Sequence, residues 1–373
     1  MTYPFDKFEK QLMKKLLTLA ARRKGLTYPN PMVAAAVYNA NQEILGIGSH
    51  QKAGGPHAEV IALNEAGSLA EGQHLMVTLE PCSIQSATPP CIDAIIRAGI
   101  RRVVFAVKDP NPLVQAHSSI AALRSAGIDV EEGLCAQEAR ALNHVFFKNH
   151  EHNLPFVSLK MGMSLDGKIA PSNRDSCYIT SKESLKMVHR LRRETQAVMI
   201  GIGTVLQDDP HLNVRYRLLG NDYENPIKYI VDPDLHCPDT ALILKGAPVC
   251  LVCKKTAFSS TLQRNPHVTF LPIIEKDGYL NWESFLSHCY KDGICSLLIE
   301  GGQQLFSSAL AAGVVDSLNI FMAPTLIAGS AALSPFSVNH FLSLDHAVSV
   351  QNISIKKCGP DFWIQGSPVS RTY

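Results

Sequence analysis

The chain has 373 residues, room for two domains at about 150 residues each. With 46% hydrophobic and 18% charged residues it is too apolar to stay disordered, and 35 Lys and Arg against 33 Asp and Glu leave a net charge of +2. That balance speaks against a main task of gripping nucleic acid or an anionic membrane, and no apolar run reaches the roughly 18 to 20 residues of a membrane span.

The N-terminal stretch Met1 to Arg23 mixes Lys and Glu through its length and holds no secretory core, so a cytoplasmic protein is expected. Within it, Phe8 to Ala21 carries an apolar face at helical spacing. Met32 to Tyr38 reads as a strand of small apolar residues, with Glu43 to Ser49 as its hairpin partner. A helix over Glu59 to Ala66, a strand over His74 to Leu79 and a helix over Pro90 to Ala98 follow. Gly99 caps that last helix before the strand Arg102 to Val107. Ser119 to Ala126, Gly127, then Ile128 to Val130 repeats the order helix, Gly, strand. A helix over Ala136 to His150 closes the unit, and the polar stretch Glu151 to Pro155 marks a boundary between domains 1–150 and 155–373. Beyond it come a strand Phe156 to Met161, a helix Lys182 to Glu194, and strands Ala197 to Ile200, Ile227 to Val231 and Val249 to Cys253. Tyr216 to Pro226 reads as a surface loop. Strand Ser296 to Glu300, helix Gln304 to Ala312 and strand Ser317 to Ala323 complete the pattern. Both halves are therefore α/β.

Ten cysteines are scattered without the density of a disulfide framework, so most are expected free. Cys250 and Cys253 form a C-x-x-C, but inside a β-prone run, where residues three apart face opposite sides; they read as core cysteines.

Chemistry concentrates at His57 and Glu59, at the start of a predicted helix, at Cys82 after a strand, and at Cys91 at the start of the next helix. One His and two thiolates make three zinc ligands and leave a fourth position open for water, whose pKa the metal lowers. Glu59, two residues past the His, is placed to carry protons between that water and a departing amine, the arrangement of zinc deaminases. A closed structural zinc site is the alternative and would need His50 or His74 as fourth ligand. In the second half, Gly201 and Gly203 follow a strand, while Gly301 and Gly302 stand between a strand and a helix, where backbone N–H groups can cradle a phosphate.

Thr78 to Ser83 (Thr-Leu-Glu-Pro-Cys-Ser), Thr88 to Cys91 (Thr-Pro-Pro-Cys), Asn30-Pro31, Gly55 to Glu59 and Asp109 to Pro112 together resemble the bifunctional deaminase/reductase of riboflavin biosynthesis. The resemblance extends through Lys160 to Ala170, Ile179 to Ser181, His189 to Arg192, Gly203 to Leu206, Asp208 to Pro210, Asn213 to Arg215, Leu298 to Gly302, Ala323 to Leu326 and Gly359 to Asp361. It implies a cytidine-deaminase-like N-terminal domain and a dihydrofolate-reductase-like C-terminal domain, with one Zn2+ per chain and NADPH as cofactors. It further implies Glu59 and Asp208 as catalytic and His57, Cys82 and Cys91 as zinc ligands. Asn30, His50, Asp109 and Asn111 would contact substrate in the first domain, and Ser176, Arg192, Leu212, Arg215 and Glu300 in the second. Gly162, Tyr178, Thr204, Asp208, Gly302, Gln303 and Gln304 would line the cofactor. The reaction implied is hydrolytic deamination of 2,5-diamino-6-(5-phosphoribosylamino)pyrimidin-4-one, then reduction of its ribosyl group to ribityl, in a homo-oligomer.

The chain departs from that family where a His and a basic residue usually stand between the two cysteines; here are Ile84, Gln85, Ser86 and Ala87. A ribose-phosphate calls for charge-assisted donors. Lys52, Lys108 or His117 would have to substitute, or the deaminase would be weak or differently selective. A reductase with a zinc-binding but non-deaminating first domain is thus the alternative function. A nucleic-acid deaminase is the third, disfavoured by the balanced charge and 7% aromatics.

Overall fold

The computed structural model describes residues 5–85, 89–172, 178–215, 224–259, 266–274, 280–336 and 347–369. The chain divides into two compact units, Met1–Asn153 and Leu154–Tyr373.

The first unit runs α1 (Lys7–Ala21), β1 (Ala34–Tyr38), β2 (Ile44–Ser49), α2 (Ala58–Ala66), β3 (His74–Val77), α3 (Cys91–Arg97), β4 (Arg102–Phe105), α4 (Pro112–Ala116), α5 (Ser119–Ser125), β5 (Asp129–Glu132), α6 (Ala136–Leu142) and α7 (His144–His152). Its sheet has the order β2-β1-β3-β4-β5; β1 is antiparallel to both neighbours, and β3, β4 and β5 are parallel. Strand β1 is buried on both faces and sorts its side chains by parity. Ala34, Ala36 and Tyr38 pack with Leu12, Met13 and Leu16 of α1, whereas Ala35 and Val37 pack with Ala58 and Ala62 of α2 and Ile95 of α3. Helix α2 lies close on β2 because Gly48 has no side chain: a Cβ there would stand 2.5 Å from the Ala58 carbonyl oxygen.

The helix expected over Ala136 to His150 is two helices. Asn143 leaves the helical region (φ −101°, ψ 25°), and its side chain clamps the backbone of Met32, accepting the N–H at 2.8 Å and donating to the carbonyl at 3.0 Å. Ala139 of α6 joins the α1 side of the sheet and Phe146 and Phe147 of α7 the α2 side, so the break lets the chain change faces.

The second unit runs β6 (Phe156–Ser164), α8 (Lys182–Arg193), β7 (Ala197–Gly201), α9 (Ile202–Asp208), β8 (Ile227–Val231), β9 (Val249–Lys254), β10 (Val268–Ile274), α10 (Trp282–Lys291), β11 (Ser296–Gly301), α11 (Gln303–Ala311), β12 (Ser317–Ala323), β13 (Ser349–Cys358) and β14 (Asp361–Val369). Its sheet has the order β10-β9-β8-β7-β11-β6-β12-β14-β13, parallel from β10 to β12 and antiparallel thereafter. Cys250 and Val252 of β9 enter the core beneath α10 and α11, and Val249 and Leu251 enter the opposite one. Both Cys250 and Cys253 are free and buried, as core cysteines should be.

The elements expected from the sequence do not include α4, α9, β10, α10, β13 or β14. Pro272 lies inside β10, which argues against a strand until β10 proves to be the sheet edge, where a missing N–H costs no ladder bond. Strand β13 is mostly exposed, so no burial pattern marks it. The stretch Tyr216 to Pro226 falls largely outside the described residues; Glu224 to Pro226 have no regular structure.

Candidate active sites

In the first unit the site gathers at the carboxyl ends of parallel strands, the usual place for chemistry in an open α/β sheet. His57 is the N-cap of α2, Glu59 lies in its first turn, Cys91 opens α3, and Cys82 follows β3. The donor atoms of His57, Cys82 and Cys91 all lie within 4.8 Å of one another. His57 Nδ1 stands 3.0 Å from Cys91 Sγ and 3.5 Å from Cys82 Sγ, and the Cys91 N–H donates to Cys82 Sγ at 3.3 Å. Glu59 is buried, and desolvation together with the Cys82 thiolate pushes its carboxyl up to about 7.

His50 is buried with both ring nitrogens engaged: Nδ1 faces the Pro56 carbonyl at 3.0 Å and Nε2 faces the Asn30 amide nitrogen at 3.1 Å. That pairing fixes a neutral ring, with Nδ1–H donating and Nε2 accepting, and burial lowers its pKa. Neither nitrogen is open for a metal or a substrate. His74 lies instead beside Arg102 and Tyr38, so among the described residues the cluster keeps three donors and no fourth. Asp109 follows β4 and is buried; desolvation and the neighbouring Glu80 push its carboxyl up to about 7. It accepts the Asn111 N–H at 2.8 Å, and Asn111 caps α4 by accepting the Leu113 N–H at 3.0 Å. Of the residues between the cysteines, Ser86 and Ala87 lie outside the described ones, while Ile84 is half-buried and Gln85 exposed. Lys108 pairs with Glu132 at 3.4 Å, and His117 Nδ1 faces the Leu113 carbonyl at 3.1 Å, so both have partners of their own; Lys52 is exposed.

In the second unit an open cleft of about 1440 Å³ follows the carboxyl ends of β6, β7 and β11. One small ligand takes roughly 300–1,000 Å³, so this cleft has room for a cofactor and a substrate together. Among its lining are Gly162, Tyr178, Thr204 and Asp208, and at the start of α11 Gly302, Gln303 and Gln304. Arg192, Leu212, Arg215 and Glu300 line it as well; Ser176 lies outside the described residues. Gly302 is the N-cap of α11 with φ +98°, a conformation that L side chains rarely adopt. Arg192 and Glu300 form a buried bidentate pair, 2.5 Å from Nε and 2.9 Å from one terminal nitrogen, and the other terminal nitrogen donates to the Asn213 carbonyl at 3.2 Å. Lys160 Nζ lies 3.8 Å from Glu300. Of the two arginines expected to contact substrate, Arg192 has its fork filled by Glu300. Arg215 is the exposed Lys or Arg among the lining residues described.

Residues 155–364 match the RibD C-terminal domain, and residues 6–107 match the cytidine and deoxycytidylate deaminase zinc-binding region. The riboflavin biosynthesis protein RibD of Aquifex aeolicus is 40% identical over 358 residues, covering 95% of this chain and 97% of the relative. That of Escherichia coli is 36% identical, covering 94% and 96%. The chain belongs to the RibD family. Among solved structures, Acinetobacter baumannii RibD (form 1) superposes with a TM-score of 0.88 at 33% identity, covering 98% of this chain and 99% of that one. The Thermotoga maritima diaminohydroxyphosphoribosylaminopyrimidine deaminase/5-amino-6-(5-phosphoribosylamino)uracil reductase superposes at 0.84 with 32% identity, covering 97% and 99%.

This RibD-family chain is thus a bifunctional enzyme of riboflavin biosynthesis, a zinc-dependent deaminase joined to an NADPH-dependent reductase. Its residues fit both groups. Tetrahedral zinc ligands at about 2.0–2.3 Å from the metal stand roughly 3.5 Å apart, close to the spacing of the His57 and cysteine donors. The side-chain-free backbone at Gly302, opening a helix on the cleft wall, suits the approach of a phosphate-bearing cofactor. Sequence reasoning gave no role to two groups here: Lys160, in the cleft beside Glu300, and Glu80, buried beside Asp109. For Glu80 the only signal was its place directly before the Pro-Cys pair.

Proposed function

We propose that the first unit deaminates 2,5-diamino-6-(5-phosphoribosylamino)pyrimidin-4-one and that the second reduces the ribosyl group of the product to ribityl. The observation that carries this is the triangle of His57, Cys82 and Cys91 with buried Glu59 in the first turn of the same helix as His57, and an open cleft in the second unit lined by Arg215, Glu300 and Gly302 supports the reductase half. In this proposal residues 1–150 form the deaminase domain and 155–373 the reductase domain.

His57, Cys82 and Cys91 hold one zinc ion, which when bound acidifies water towards neutrality. Glu59, with a carboxyl near neutral pKa, gives and takes protons at its carboxylate oxygens, passing them from the attacking water to the leaving amine. The Asn30 amide meets the substrate, and His50 holds that amide in place from behind. Asp109 and Asn111 supply the facing polar contacts.

In the second unit Gly162, Tyr178, Thr204, Asp208, Gly302, Gln303 and Gln304 hold NADPH, which supplies the hydride. Arg215 meets the substrate phosphate as a planar cation, Leu212 lines the same cleft, and Ser176 is a further substrate contact implied by the family resemblance. Glu300, oriented by Arg192, is the acceptor on the substrate side. Asp208, exposed at the end of α9, serves as the catalytic carboxylate. Free cysteines and a balanced charge support a cytoplasmic enzyme of small molecules. Exposed Ile353 and Ile355 on the edge strand β13 support self-association.

The test supplies the diaminopyrimidinone phosphate and follows ammonia release and NADPH loss separately. Both are expected in the wild-type chain. Glu59→Gln should keep zinc and the NADPH-dependent reduction of the deaminated intermediate while ammonia release falls by about 10²-fold or more. Ammonia release at the wild-type rate in that variant would remove Glu59 from the proton path. A wild-type chain that oxidises NADPH only with preformed intermediate would instead support the reductase-only alternative.

A further inference from the structure

Glu80 is 6% exposed, stands two residues before Cys82, and has no part in the zinc triangle. Both oxygens of its carboxyl are engaged. Oε1 accepts the Ser119 hydroxyl at 2.6 Å; Oε2 accepts the backbone N–H of Asp109 at 3.1 Å and faces the Gln115 amide nitrogen at 3.5 Å. That Gln115 amide also donates to the Asp109 carbonyl. The Glu80 backbone N–H donates to the Val107 carbonyl at 2.9 Å, so main chain and side chain together tie the segment after β3 to the segment after β4. From there the order passes on: Asp109 holds the Asn111 N–H, and Asn111 opens α4. One buried carboxylate thus joins the strand end that carries a zinc cysteine to the strap that carries two proposed substrate contacts, across 29 residues to Asp109 and 39 to Ser119. Charge-assisted bonds to a buried carboxylate are short, strong and geometrically strict.

We propose that Glu80 is a positioning residue of the deaminase: through Ser119 and the Asp109 amide it registers the 109–111 strap against the Cys82 segment and so sets how tightly the pyrimidine substrate is held. This rests on the proposed contacts of Asp109 and Asn111 with substrate. The Ser119 hydroxyl donates to Glu80, so its effect and that of Glu80 are not independent.

The experiment measures ammonia release by the full-length, zinc-loaded chain carrying Glu80→Gln, Ser119→Ala, the pair together, and Asp109→Asn, with zinc content and the NADPH-dependent reduction of the deaminated intermediate as internal controls. Glu80→Gln removes the charge and replaces one acceptor by a donor. It should raise the deaminase KM about tenfold with kcat within about threefold, zinc and reductase kinetics being unchanged. Ser119→Ala should raise KM about threefold, and the pair should be no worse than Glu80→Gln alone. If Glu80→Gln does not fold or loses zinc, Ser119→Ala decides alone, because it deletes one hydroxyl and spares the carboxylate. A fall in kcat at unchanged KM, or an unchanged KM in both single variants while Asp109→Asn raises it, overturns the positioning role. An unchanged KM in Asp109→Asn overturns instead the substrate contact on which it rests.

Discussion

His189 shows how a single buried side chain ties stability to pH. It is 4% exposed on α8, and its Nδ1 accepts the Arg215 backbone N–H at 3.1 Å, so the folded ring is neutral at that nitrogen. Burial, reinforced by the Arg192 and Arg215 charges, pulls its pKa down to about 4. The unfolded chain holds a proton on this histidine below its ordinary value of 6.5, which the folded chain refuses until about 4. The stabilising preference for the neutral ring is therefore complete above pH 6.5 and is lost as pH falls from 6.5 towards 4. Denaturant titrations at pH 7.5 and pH 5 should show wild type losing more stability on acidification than His189→Gln does. Parallel losses would disprove the assignment. Nothing in the sequence marks this histidine as neutral, since its partners lie 3 and 26 residues away. His57, Glu59, Cys82 and Cys91 were legible, because helix starts and strand ends leave a local pattern of residue types. The partners of Glu80 and the occupied Arg192 fork were not, because a hydrogen bond over 29 or 108 residues leaves no local pattern.

At the scale of elements, local periodicity located most of the strands and helices that frame the two sites, and it failed where tertiary contacts overrule it. Ala136 to His150 is apolar at helical spacing throughout, yet it breaks at Asn143 because that amide satisfies both backbone groups of Met32 in a buried place. Asn143→Ala removes both bonds and leaves an N–H and a carbonyl without them. The loss should be about 2 kcal/mol or more, read as a lower urea midpoint at unchanged m-value. A variant as stable as wild type would mean that water takes over both groups and that the break is set elsewhere. Helix α10 was missed for a different reason: Trp282, Phe285, Leu286 and Cys289 do follow the 3, 4, 7 spacing, and Asn281 caps it by accepting the Ser284 N–H. That signal is present in the sequence, whereas β13 and its exposed face offer none.

For the molecule as a whole, a net charge of +2 means that anionic ligands have to be met by a few placed groups rather than by a broad positive field. In the second unit Arg215 and the start of α11, both on the cleft wall, are the groups proposed for that task. In the first, Lys108 and His117 are already engaged, and the loop that usually brings a cation includes residues outside the described ones. Among the described residues the zinc donors belong to the first unit and the cleft lining to the second, so the half-reactions should respond separately to loss of metal. Chelation of the full-length chain, or Cys91→Ser, should bring zinc towards zero per chain and abolish ammonia release. NADPH oxidation with the preformed deaminated intermediate should stay within about twofold of wild type, since the cleft is lined by residues of the second unit and the zinc donors lie in the first. Restoring zinc should return ammonia release to the chelated wild type and not to Cys91→Ser. A parallel loss of NADPH oxidation would show that the metal stabilises more than the unit that binds it. Zinc retained in full by Cys91→Ser would remove that thiolate from the ligand set and leave His57 and Cys82 needing another partner.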